Sequence, residues 1–240
     1  MINLTSVLTE NTHFYKEHYI EQLKPHLGRP YVSYSTMESW NEYREDFIKE
    51  KLVGLPQPFG IYKEFGTYIG TAYENGNFEH ENKHGFIGQE NIDWTKYRQE
   101  GDEYEKLIII DRGDYICVGF IDKFLRLGDN TVWVNDCKSG GAKKEDKYSS
   151  DEYKQVTLYS HALEEMGEKI GRTDVLFIRR ESSHYKPPLK IGKEQFYIPI
   201  THTKEKVDKA LKYMDKSVKE ISEIKSVYDK YFAENKKINR

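Results

Sequence analysis

Two aspartates and a lysine, Asp122, Asp136 and Lys138, are the residues whose types and spacing could do chemistry. Residues 106–138 alternate with a period of two and read as three strands, Leu107–Asp111, Tyr115–Leu127 and Thr131–Lys138. The turns between them fall at Arg112-Gly113-Asp114 and Gly128-Asp129-Asn130. With the second turn centred on Asp129, Asp122 lies opposite Asp136, where facing Cβ atoms are about 5 Å apart. Lys138, two residues on, projects to the same face. Ile116, Val118, Phe120, Phe124, Val132 and Val134 share that face, which is therefore expected to be the core side. Opposed like charges are costly there, and a divalent cation between the carboxylates would account for them. The plainer reading makes both aspartates edge residues bonded to turn backbone, with Lys138 as an ion-pair partner. A register slip of one residue would separate the pair.

The elements around the hairpin follow from pattern. The stretch up to about residue 55 reads as helical. Ser35-Thr36-Met37-Glu38 opens a helix to about Lys51, and Gly54, Pro56 and Pro58 break it. A helix at roughly 60–75 carries Gly66, Gly70 and Glu74 on one face, and the glycines could let it approach the sheet. Residues 76–104 are polar and read as an insertion or lid with short helical pieces. Residues 139–149 read as a flexible basic loop. Ser149 and Glu152 could form a capping box for a helix over about 150–166, with Gln155 and Tyr159 four apart on one face. Strands near 173–179 and 195–200 and an amphipathic helix over about 203–234 complete the chain.

The expected fold is α/β: a central mixed sheet of four or five strands flanked by helices. The 240 residues are expected to form a single domain, with a helical N-terminal addition (1–58), a core (59–200) and a C-terminal helix (201–240). No run of about 20 apolar residues suggests a membrane span, and no signal peptide is expected. Two cysteines, Cys117 and Cys137, fall inside expected strands. They argue for a reducing, intracellular setting, the cytoplasm or a host's cytoplasm if the source is viral. Two cysteines also exclude an iron–sulfur cluster held by four from one chain. At a net charge of −3, a nucleic-acid partner would have to be held by local basic patches or through metal ions.

The motifs resemble the PD-(D/E)XK nuclease superfamily, specifically its RecB-like exonuclease branch. The corresponding stretches are Gly70-Thr-Ala-Tyr-Glu74, Gly119-Phe-Ile-Asp122, Asp136-Cys-Lys138 with Ser139-Gly140, and Gln155-Val-Thr-Leu-Tyr159, in that order. The likeness covers about residues 60–166. Glu74 stands where many RecB-like members have His, and the cluster-forming cysteines of some relatives are missing. The resemblance implies DNA phosphodiester hydrolysis with Mg²⁺ or Mn²⁺. Asp122 and Asp136 would be ligands, the Cys137 carbonyl a further one, and Glu74 a ligand directly or through water. Lys138 would act on the attacking water, and Gln155 and Tyr159 would brace the site or meet DNA. Lys143, Lys144, Lys147, Lys154, Arg179 and Arg180 fit a phosphate path, though a solvated loop would have the same composition. Trp40 and Tyr43 could stack on bases or simply pack in the core, and His80 and His84 are alternative metal-side groups or plain surface residues. A catalytically inactive DNA-binding or assembly subunit and a site-specific endonuclease are the competing readings. Protein partners are not indicated by the sequence.

Overall fold

The computed structural model describes residues 2–3, 17–56, 60–149, 153–181 and 188–238, with side chains described from 17 to 231. Among the described residues seven strands run in chain order: β1 (Ile2–Asn3), β2 (Pro30–Val32), β3 (Glu103–Asp111), β4 (Ile116–Arg126), β5 (Val132–Gly140), β6 (Ile170–Arg180) and β7 (Ile191–Pro199). The helices are α1 (Glu17–Leu23), α2 (Tyr34–Glu42), α3 (Arg44–Phe47), α4 (Ile61–Asn75), α5 (Ala142–Ser149), α6 (Gln155–Glu165) and α7 (Lys204–Ile238). The chain divides into two units. One comprises Met1–Pro58, Ile109–Gly119 and Lys209–Arg240, the other Phe59–Ile108 and Phe120–Asp208.

In the first unit, β2 lies parallel to the start of β4, Tyr31 beside Ile116 and Val32 beside Cys117, and antiparallel to β1. The expected helical N-terminal stretch thus also contains strands. Its helix begins at Tyr34, one residue before the expected opening, because Ser33 accepts the Thr36 N–H at 3.2 Å as an N-cap. Trp40 and Phe47 bury their rings with Ile221. Trp40 is therefore core rather than a stacking platform, whereas Tyr43 is exposed.

The second unit carries the expected α/β arrangement. β4 pairs antiparallel with β5, β5 parallel with β6, and β6 antiparallel with β7, while β3 pairs with β4. The β4–β5 register is the one the turn implied, Lys123 opposite Asn135 and Phe124 opposite Val134. Local chemistry in the turn fixes it: Asp129 accepts both the Thr131 N–H (3.1 Å) and its hydroxyl (2.5 Å), and Asn130 takes the left-handed conformation at φ +61°.

The sheet is covered on both faces, not on one. Every residue from Val132 to Cys137 is buried, as expected of a strand with a parallel neighbour. α4 lies against the face that presents Cys137, Leu176 and Ile178. The segment after α4 is no detached lid: Phe86, Ile92 and Trp94 pack into the same cluster. A backbone bridge ties it to β7, with the Ile87 N–H given to Leu189 O and the Ile191 N–H to Ile87 O. Gly88 makes that approach possible, since its φ is +88° and a Cβ there would meet Ile191 O at 2.6 Å. Gly66 and Gly70 behave differently from expectation. A Cβ on Gly66 would only touch Ser139 Oγ at 4.0 Å and one on Gly70 nothing within 4 Å, so helix–sheet contact requires neither glycine.

The face beneath α4 also buries a polar network. Lys123, with no exposed surface, pairs with Asp102 at 2.8 Å and lies over the Trp133 ring at 4.6 Å. Asp174 accepts from Trp133 Nε1 (2.9 Å), Asn135 Nδ2 (2.5 Å) and Arg172 Nε (2.5 Å), and Asn135 Oδ1 accepts from the Tyr73 hydroxyl at 2.6 Å. Cys117 and Cys137 are free and buried, and burial pushes the Cys117 thiol up to about 12 and Cys137 well above its usual range. Removing one partner of a buried ion pair strands the other charge, so Lys123→Met should destabilise the protein by about 3–5 kcal/mol in urea denaturation. A loss under about 0.5 kcal/mol, the range of ordinary surface substitutions, would show that the pair carries no such weight.

Candidate active site

The proposed chemistry collects where β4 and β5 part. Their described pairing runs from Arg126–Val132 to Lys123–Asn135. At the following residue of β4 a side chain enters, and Asp122 Oδ2 accepts the backbone N–H of Cys137 at 2.7 Å. Asp136 is 1% exposed. Lys138 Nζ donates to both of its oxygens, at 2.8 Å to Oδ1 and 2.7 Å to Oδ2. Asp136 and Lys138 both act electrostatically on Asp122, so the three hairpin residues are brought to one place.

Burial, and then the Asp136 charge, raise the Asp122 carboxyl to about 8, against the opposing pull of Lys138 and the Cys137 N–H. Glu105 adds to the upward push. It stands on β3 in a left-handed conformation, φ +55°, unusual for a non-glycine residue inside a strand. For Lys138 burial works against the charge, but Asp136 and Asp122 outweigh it and hold the group as an ammonium.

Gln155 and Tyr159 join the site through a residue that pattern did not single out. The Tyr153 hydroxyl donates to Asp136 Oδ2 at 2.6 Å and lies 2.8 Å from Gln155 Oε1, while Gln155 Nε2 is 3.0 Å from the Tyr159 hydroxyl. α6 begins at Gln155, and the capping box expected at Ser149 and Glu152 lies partly outside the described residues. The stretch expected to be a flexible basic loop forms α5, whose Tyr148 is buried against Tyr153 and Phe177, with ring centroids 4.9 and 5.9 Å apart. Lys143, Lys144 and Lys147 thus ride on a helix. Arg179 pairs with Glu145 and Glu194, and the Arg180 guanidinium lies 4.1 Å over the Tyr62 ring.

Glu74 does not join this network. α4 packs on the Cys137 face of the sheet, and Asp136 belongs to the other face. The Glu74 carboxylate makes no hydrogen bond or ion pair among the described residues, and Arg98 binds its backbone carbonyl at 3.0 Å. His80 is held by Tyr68 O at 3.1 Å and His84 lies 3.8 Å from Glu64, so neither is tied to the aspartates. Among the described residues no group of three His, Cys, Asp or Glu side chains is arranged to hold a metal. The hard oxygen donors that remain are the carboxylates of Asp122 and Asp136. This set fits a hard divalent ion that keeps most of its waters. The proton kept by Asp122 marks the countercharge such an ion would provide.

The fold is α/β, a mixed sheet flanked by helices. It matches the crystal structure of a candidate exonuclease from Eubacterium rectale at 13% identity and a TM-score of 0.50, over 82% of each chain. That likeness is one of fold. A crystal structure of SSO0001 aligns at 13% identity over 86% of this chain and 84% of that one, with a TM-score of 0.42. No family model and no curated protein matches the chain. No described helix is long and apolar enough to cross a membrane.

The raised carboxyl has a measurable consequence. Without metal, folded Asp122 keeps a proton at pH values where the unfolded chain has lost it, so stability should fall as pH rises from the ordinary carboxylate range to about 8 and level off above it. Thermal melting in EDTA from pH 5 to 9 should show this decline in the wild type and a flatter profile in Asp122→Asn. Superimposable profiles would refute the assignment.

Proposed function

We propose that the chain is a metal-dependent nuclease that hydrolyses DNA phosphodiester bonds, acting as an exonuclease. The observation that supports this reading is the junction of Asp122, Asp136 and Lys138 at the β4–β5 divergence, where the half-buried Asp122 carboxyl lacks a full countercharge. Asp122, Asp136 and the Cys137 carbonyl would hold Mg²⁺ or Mn²⁺, with Glu74 reaching the ion only through water. A metal bound there supplies a water of lowered pKa and Lewis acidity towards the scissile phosphate.

The protein's own residues orient the rest. Lys138 is already charged, held so chiefly by Asp136, so it cannot take a proton from water. Its part is to position the attacking water and to offset charge gathering on the phosphate. Gln155 and Tyr159 brace Asp136 through Tyr153. Lys143, Lys144, Lys147, Lys154 and Arg180 suit contacts to phosphates, which carry no sequence information. Recombination, repair or phage genome processing in the cytoplasm is the setting this activity fits.

A second reading, a DNA-binding or assembly subunit without catalysis, draws on one observation: Glu74 is not engaged with the aspartates. A site-specific endonuclease is the third. Linear and circular DNA, single- and double-stranded, incubated with Mg²⁺, Mn²⁺ or EDTA, separates them. Metal-dependent loss of linear DNA alone is expected, whereas nicked circles would indicate an endonuclease and no cleavage on any substrate the binding subunit. Lys138→Ala should still bind metal yet lose about 10²-fold or more in rate, on the scale of losing one transition-state contact. Undiminished cleavage by that variant would remove Lys138 from the mechanism.

A further inference from the structure

We propose that Tyr153 is a positioning residue for Asp136: its phenol fixes the carboxylate and carries the same constraint to Gln155 and Tyr159. This rests on the metal-dependent reading above and adds a residue to it. Tyr153 is buried, and its ring stands edge-on to Tyr148 at 4.9 Å and 77°, so the hydroxyl is presented from a fixed ring.

The count of protons gives the network a direction. A phenol has one proton to donate. Lys138 already donates to both oxygens of Asp136, which leaves that carboxylate an acceptor, and the Tyr153 proton goes to Oδ2 at 2.6 Å. Gln155, whose carboxamide faces Tyr153 at 2.8 Å, must then donate to the phenol oxygen. Its NH₂ therefore turns towards Tyr153 and its carbonyl towards Tyr159, 3.0 Å away, whose hydroxyl donates in turn. The two ends of a carboxamide are nearly equal in size, so this orientation needs no extra room. Donation runs from Tyr159 through Gln155 and Tyr153 to Asp136.

Lys138 alone would not fix the carboxylate. An ammonium on a flexible four-carbon stem can follow an acid as it rotates, whereas a ring wedged against Tyr148 cannot. With Tyr153 on Oδ2, the carboxylate keeps one orientation, and Oδ1, where Lys138 donates at 2.8 Å, keeps its other lone pair for a cation. Partners of this kind typically change metal affinity by about 10–100-fold when removed.

Calorimetric titration of Mg²⁺ into the full chain without DNA, for wild type and Tyr153→Phe, tests this. The phenylalanine keeps the ring and removes the donor. Mg²⁺ affinity should fall about tenfold, and kcat on DNA should fall at saturating Mg²⁺ with KM within about twofold. The melting temperature in EDTA should shift by only a few degrees. Should Tyr153→Phe fail to fold, Gln155→Met breaks the next link and should weaken Mg²⁺ binding several-fold; unchanged binding there overturns the proposal. Equal Mg²⁺ affinity in wild type and Tyr153→Phe, with both cleaving DNA, overturns the role of Tyr153 and leaves the nuclease reading intact. Weakened binding in a protein that cleaves no DNA has the opposite result. A wild type that binds neither Mg²⁺ nor Mn²⁺ overturns both.

Discussion

Asp122 stands where burial and the neighbouring Asp136 both oppose its charge, and the surrounding elements bear on that cost. The Cys137 N–H, turned to Asp122 Oδ2 where the described strand pairing ends, supplies one hydrogen bond. Lys138 supplies a positive charge but gives its hydrogen bonds to Asp136. What remains uncompensated is kept as a proton on Asp122. The proton is one answer to this electrostatic problem; under the proposed function a divalent cation would be the other, and it would leave Asp122 ionised.

Much of this could be read from residue order. The Gly-Asp-Asn turn set the β4–β5 register, and the register placed the aspartates together. The four-residue spacing of Gln155 and Tyr159 placed both on one helical face, and their side chains do meet. What escaped reading has physical causes. A period of two suggests one wet face and one dry face, but a sheet covered on both sides has no wet face. Trp133, Asn135 and Lys123 are as buried as the residues opposite them. α5 escaped because its lysines offer little apolar periodicity and Tyr148 is its one buried residue. Tyr153 escaped because its importance lies in a contact between segments, which no local pattern encodes. The left-handed backbone conformation of Glu105 is likewise invisible in composition.

The two faces of β5 divide the labour. One presents Asp136 and Lys138, the other Asn135 and Cys137 beneath α4. Asn135 is bonded to Tyr73 on that helix and to Asp174 on β6, so the strand that bears the acids is clamped from behind by hydrogen bonds with defined geometry rather than by apolar contact alone. Such anchoring suits a site whose side chains must be held to about 0.5 Å. Glu74, on the clamping helix, contributes its backbone carbonyl to the bond with Arg98 and leaves its carboxylate unengaged among the described residues.

The two cysteines give the molecule a built-in reporter. Cys117 falls in one unit and Cys137 in the other, and each thiol is buried and held protonated far above neutral pH. Alkylating reagents require an exposed thiolate, so both positions should resist them in the native chain. Each cysteine becomes reactive only when its own unit opens, and the order in which the two are labelled records which half of the chain lets go of its structure first.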